Sequence, residues 1–253
     1  MRVGYFPTFN ALTPKAIFNN LAPFKDMTAC IACLADNGKG VVLAADNMTT
    51  HLLGGNVEWE QESQVHKKIL RFSDNIFVLC GGDNYAKNIV QVSKISENDN
   101  IDNICEKIQL SLFEFTKKLR LTLVLIPNGF SKWEDYMEQQ IRLNPYLSGD
   151  ISNRLLNCMP NCIFIVVAFN KNSKEADIRT ISASGIIQDN NEGGYAGIGS
   201  GETLAKFSLL KSKYDKSCTI TEVEVMVREA MEDASHAMGV GKLGELIIMP
   251  VKN

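Results

Sequence analysis

The chain has 253 residues, is 45% hydrophobic and carries a formal net charge of -3. That length and apolar content suffice for one large buried core, and the scattered Lys and Arg leave no basic footprint for nucleic acid or an anionic membrane. The apolar run Ile163 to Phe169 falls far short of the roughly 20 residues that span a bilayer.

Residues 1 to 26 are interrupted by Pro7, Pro14 and Pro23 and hold no continuous apolar stretch of the secretory kind. A cytoplasmic protein with reduced thiols is therefore expected, the seven cysteines being odd in number and spread along a chain that needs no staples. Thr13 and Pro14 suit the cap and first position of a short helix to Leu21. Ala29 to Ala35 and Gly40 to Ala45 flank the turn residues 36–40 and read as a β-hairpin. Cys30 and Cys33 lie three apart on the first of these strands, on opposite faces, which argues against a shared zinc. His66 to Phe72 and Asn75 to Gly82, separated by Ser73-Asp74, form a second predicted hairpin.

From Asp83 the spacing turns helical: Ile89, Val92 and Ile95 share one face, and Ile101, Ile104, Ile108, Leu112 and Phe115 continue the period in a second helix. Ser131 to Asn157 reads as a partly helical insertion. Cys162 to Ala168 and Ile178 to Ile187 are predicted strands, Glu202 to Tyr214 and Thr221 to Met238 predicted helices, and the chain closes on a strand through "ELIIMPV". Strands, helices, strands, helices and a strand in that order predict an α+β sandwich with helices in layers outside packed sheets.

"MTACIACLADNGKGVVLAADN", "HKKILRFSDNIFVLCGG" and "GYAGIGSGETLAKFSLL" together resemble the proteasome-type subunits of the N-terminal nucleophile hydrolases. In that pattern a Thr opens the first strand, "AAD" closes the second, Lys-Ile begins the third and "GSG" precedes the third helix. The resemblance implies a four-layer αββα sandwich over residues 28–253, an extension or propeptide at 1–27, and an insertion without counterpart at about 119–160. It also implies a threonine-type amide or peptide hydrolase that needs no cofactor or metal and assembles into a homo- or hetero-oligomeric ring.

A threonine hydroxyl is a weak nucleophile, activated in such enzymes by the chain's own α-amine, whose pKa near 8 suits proton transfer. Thr28 is the implied nucleophile once residues 1–27 are lost, either by cleavage at Met27-Thr28 or by initiation at Met27 followed by its removal. The resemblance further implies Lys68, rather than Lys67, as the cation beside the hydroxyl, Asp46 as its partner, Gly82 as the oxyanion donor and Ser200 as the group positioning the amine. "GIGSGE" lacks the third glycine of a dinucleotide loop and the Lys of a P-loop, so a nucleotide site is excluded. The family's acid after the fourth helix is absent from "SHAMGVGK", leaving Ser235 or His236 as substitutes. Carried over by position, Thr49, His66, Cys80 and Asn84 line the substrate pocket, which predicts an apolar side chain before the scissile bond. Two alternatives stand: a non-catalytic ring or scaffold subunit that keeps residues 1–27, and a connectase-like transpeptidase in which an amine replaces water.

Overall fold

The computed structural model describes residues 28–53, 57–62, 67–83, 85–170 and 172–250, the side chains of 49–53 and 57–62 excepted. The predicted helix at Thr13 to Leu21 lies outside the described residues. The first hairpin forms as predicted: β1 (Cys30–Ala35) pairs antiparallel with β2 (Gly40–Asp46), Cys30 opposite Ala45. The turn holds Asp36, Asn37 and Gly38 at positive φ, a conformation that Asp, Asn and Gly tolerate best.

β3 (Met48–Leu53) and β4 (Val57–Glu62), which the sequence did not announce, form a two-stranded sheet and, among the described residues, pair only with each other. The second predicted hairpin is β5 (Ile69–Arg71) with β6 (Ile76–Gly82). α1 (Tyr85–Val92) and α2 (Ile101–Arg120) follow, the latter capped by Asn100, whose side chain accepts from Asn103 N–H at 2.8 Å. Val92 is 64% exposed rather than buried, because the helix stops there and Lys94 turns the chain at φ 52°; Ile95 reaches the core from beyond the helix.

Past α2 the chain widens into a π-helical turn at Leu121–Leu125, tightens to a 3₁₀ turn at Ile126–Asn128 and folds back through α3 (Trp133–Gln139) and α4 (Pro145–Asn157). Val124, Leu125, Phe130, Tyr136 and Ile151 give this region a small core of its own. β7 (Cys162–Phe169) returns to the sheet. The long strand predicted for Ile178 to Ile187 is broken into β8 (Ala176–Ile181) and β9 (Ile187–Asp189) by a turn at Gly185, where φ is 80° and its N–H donates to Ser182 O at 2.8 Å. β10 (Tyr195–Ile198), α5 (Glu202–Lys211), α6 (Ile220–Ala234) and β11 (Leu243–Pro250) complete the chain.

Strand order is β10-β1-β2-β11 in one sheet and β5-β6-β7-β8-β9 in the other, with neighbours antiparallel throughout. The period of two along each strand sorts its side chains between layers. Cys30, Ala32 and Leu34 of β1 meet Phe77, Leu79, Ile165 and Val167 of the second sheet in a core between the sheets. Ala29, Ile31, Cys33 and Ala35 face the other way, onto Leu209 of α5 and Val223, Val227 and Met231 of α6. The outer face of the second sheet packs Val78, Phe164 and Val166 against Ile89, Ile104, Ile108 and Leu112 of α1 and α2. Helices, sheet, sheet and helices thus form the αββα sandwich expected from the sequence. Cys30 and Cys33 fall in different cores, as their spacing required.

Candidate active site

The antiparallel register that sets Cys30 opposite Ala45 puts Ala29 beside Asp46, whose N–H donates to Ala29 O at 3.0 Å. Thr28, one residue earlier and 2% exposed, therefore meets the Asp46 carboxylate, and its hydroxyl donates to Oδ1 at 2.8 Å. Lys68 comes from the other sheet. It directly precedes β5, its carbonyl accepts from Cys80 N–H at 2.9 Å, and its Nζ donates to Thr28 Oγ1 and, at 2.7 Å, to Asp46 Oδ1.

A buried carboxylate is costly unless its lone pairs are filled. Asp46 fills them with Ala29 N–H at 2.8 Å on Oδ1, and Met48 N–H and Gly241 N–H at 3.1 Å each on Oδ2, besides the Thr28 and Lys68 bonds. The Lys68 side chain is 11% exposed and that of Asp46 0%, so solvent screens their attraction little.

Glycines hold Thr28 in place. A Cβ on Gly199 would lie 2.2 Å from Thr28 O, and φ there is 92°, so only glycine fits. Two residues on, Gly201 N–H donates to that same carbonyl at 3.2 Å. From the second sheet Gly81 closes on the threonine methyl, where an added Cβ would stand 3.2 Å from Thr28 Cγ2.

A thiol also lies nearby and is silenced. Burial pushes the Cys30 thiol up to about 12, against the opposing pull of the Lys68 charge, so at neutral pH it stays protonated. In the cluster that remains, the hydroxyl points its proton at a carboxylate and lies against an ammonium, an environment that stabilises a developing alkoxide. The Thr28 nitrogen is a peptide nitrogen while Met27 is attached, and so carries no basicity.

Of the residues singled out in the sequence, Thr28, Asp46 and Lys68 are brought together. Gly82 follows Gly81 at the exposed end of β6, at φ 92°, opposite Cys162. The Ser200 hydroxyl donates to Met238 O at 3.3 Å. Cys80 is buried with Ala86 and Cys162 under α1, its carbonyl accepting from the Cys30 thiol at 3.8 Å. Thr49 lies in β3 with its side chain outside the described residues, and His66 and Asn84 fall outside them altogether. Ser235 spends its hydroxyl on Glu232 O at 2.6 Å, and His236 is exposed. The backbone donors of Ala29, Met48 and Gly241 were missed; the glycine-dense run 239–244 was their one visible trace.

No protein-family model matches the chain, and no curated protein matches it. Among solved structures, a crystal structure of eukaryotic HslV from Trypanosoma brucei is similar at 16% identity and a TM-score of 0.49, over 88% of this chain and 98% of that one. Among the described residues no helix is long and apolar enough to cross a membrane.

Proposed function

We propose that the protein is a threonine-type amide hydrolase of the proteasome-like N-terminal nucleophile class, acting once Thr28 is the first residue. The observation that carries this reading is the buried Thr28–Asp46–Lys68 cluster, in which one hydroxyl is shared between a carboxylate and an ammonium supplied by two different sheets. Thr28 Oγ attacks the carbonyl carbon of a peptide bond while its proton passes to the freed α-amine. Lys68 stabilises the negative charge forming on Oγ, and Asp46 holds Lys68 and the hydroxyl in register. The Gly82 N–H takes the oxyanion, the leaving amine receives the proton, and water then releases the acyl group from Oγ. An amine in place of water would make the same site a transpeptidase.

Residues 1–27 are, on this reading, an extension lost before activity, and the helical region at about 119–160 is an insertion in the catalytic domain. Ring assembly in the cytoplasm belongs to the same proposal. Phe207 and Leu210 of α5 and Val225 of α6 are exposed apolar groups of the kind that a neighbouring subunit covers.

The scaffold reading is favoured by one observation, the Ser200 hydroxyl bonded to Met238 O in a segment that lacks an acid. Intact mass of the natively expressed protein separates the two: a chain starting at Thr28 supports the enzyme, and one retaining residues 1–27 supports the scaffold. Thr28→Ala is expected to abolish both peptide turnover and labelling by peptide epoxyketones while leaving the circular dichroism spectrum unchanged. Full turnover in that variant would remove the central claim.

A further inference from the structure

The two oxygens of Asp46 have separate duties. Among the described residues, Oδ1 serves Thr28, Lys68 and Ala29 N–H, whereas Oδ2 accepts only backbone N–H groups, from Met48 two residues away and from Gly241 195 residues away. A carboxylate is planar, so anchoring Oδ2 fixes rotation about Cβ–Cγ and with it the aim of Oδ1. The geometry points to Gly241 as a positioning residue for the Thr28 chemistry, its N–H being the distant anchor that keeps the first oxygen of Asp46 on Thr28 and Lys68. The inference rests on the threonine reading above.

The surrounding chain is built for that close approach. Lys242 O accepts Asn47 N–H at 3.3 Å, and the β11–β2 ladder shifts register between Leu243, opposite Asp46, and Glu245. A Cβ on Gly241 would lie 2.7 Å from Asn47 Oδ1 and 2.9 Å from Met48 N, and one on Gly244 would lie 2.4 Å from Asn47 Cβ. Contacts that short are not met by real side chains, so both positions require glycine for the loop to lie on the Asp46–Met48 turn. On the other side, Val240 is buried with Val227, Ala230 and Ala234 of α6, which ties the loop to the helix layer. The donor of the Asp46 anchor is thus held from both sides.

Because the donor is a backbone N–H, the clean test replaces the Gly241 amide by an ester, using glycolate in a synthetic 218–253 fragment ligated at Cys218 and compared with the all-amide ligated chain. Loss of one hydrogen bond to a charged group predicts a kcat lower by about ten- to a hundredfold, with KM within about threefold because no substrate contact is touched. An ester chain with control kcat, or with its loss confined to KM, overturns the positioning role while Thr28→Ala remains inactive. Turnover that survives Thr28→Ala overturns the threonine mechanism and this role together. A second readout needs no turnover: the Gly241 amide proton resonance is expected downfield and moves upfield in Asp46→Asn. A resonance unmoved by that substitution also overturns the role. Gly241→Ala, which forces a methyl onto Asn47, is expected to lose kcat at least as far as the ester.

Discussion

Thr28 and Cys30 stand two residues apart, both buried, yet the chemistry of their surroundings assigns them opposite parts. The hydroxyl donates to a carboxylate and has an ammonium against its oxygen, while the thiol donates to the Cys80 carbonyl and carries a dominant burial cost that the Lys68 charge and the Thr28 hydroxyl offset only in part. Iodoacetamide at neutral pH is therefore expected to leave turnover intact; activity falling in step with carbamidomethylation of Cys30, read by mass spectrometry, would reassign the nucleophile. Lys68→Ala removes the side-chain cation that bonds Thr28 Oγ1 and is expected to slow turnover by about 10²- to 10⁴-fold. It also strands a buried carboxylate, and removing one partner of such a pair destabilises by about 3–5 kcal/mol. Urea unfolding read beside kinetics separates the two effects, and a variant both as fast and as stable as wild type would move the role to Lys67. The three side chains of this cluster were legible in the sequence because each is a distinctive chemical group at a motif position. Gly241 was not, because every residue except proline carries the N–H it uses.

At the scale of elements, the hairpins and buried helices announced themselves through turn residues and apolar period. What failed did so for local reasons. Among the described residues β3 and β4 pair only with each other, outside the two main sheets, so neither of those sheets imposed a pattern for the sequence to betray. β10 was hidden because Gly197 lies within it and Gly194 and Gly199 flank it, and glycine weakens any strand signal. Those glycines have a measurable cost when replaced. Gly199→Ala places a methyl on the Thr28 carbonyl at positive φ, and is expected to destabilise the fold by at least about 2 kcal/mol in urea unfolding. Thr219→Ala is a useful contrast. It breaks the capping box with Glu222 at the start of α6 and is expected to cost about 1 kcal/mol with kcat unchanged. A Gly199→Ala chain as stable as wild type would mean that the 199–201 turn does not grip Thr28.

Across the whole molecule, one carboxylate at the sheet edge ties stability to pH. Burial raises Glu245 above the ordinary 4.5, against the lowering influence of Lys67 and Lys87. A carboxyl with a raised folded-state pKa binds its proton more tightly folded than unfolded, so stability falls as pH rises from about 4.5 through the raised value. Glu245→Gln is expected to flatten that fall, seen as melting temperatures that lie closer to wild type at acid pH than at neutral pH; an identical pH dependence in both would deny the effect. The mid-chain helical region could be read as partly helical but not placed, because its small core of Val124, Leu125, Phe130, Tyr136 and Ile151 is built from residues too irregularly spaced to show a period. β1, by contrast, is hydrogen-bonded on both edges and buried on both faces, so no partial opening frees it while the two sheets stay together. Thr28, the proposed nucleophile, is hitched to the segment that should exchange its amide protons last. Heat or denaturant is then expected to dislodge Thr28 only when the two sheets part, so on the threonine proposal any earlier loss of activity reports on Lys68 or the Gly241 loop rather than on the nucleophile's own strand.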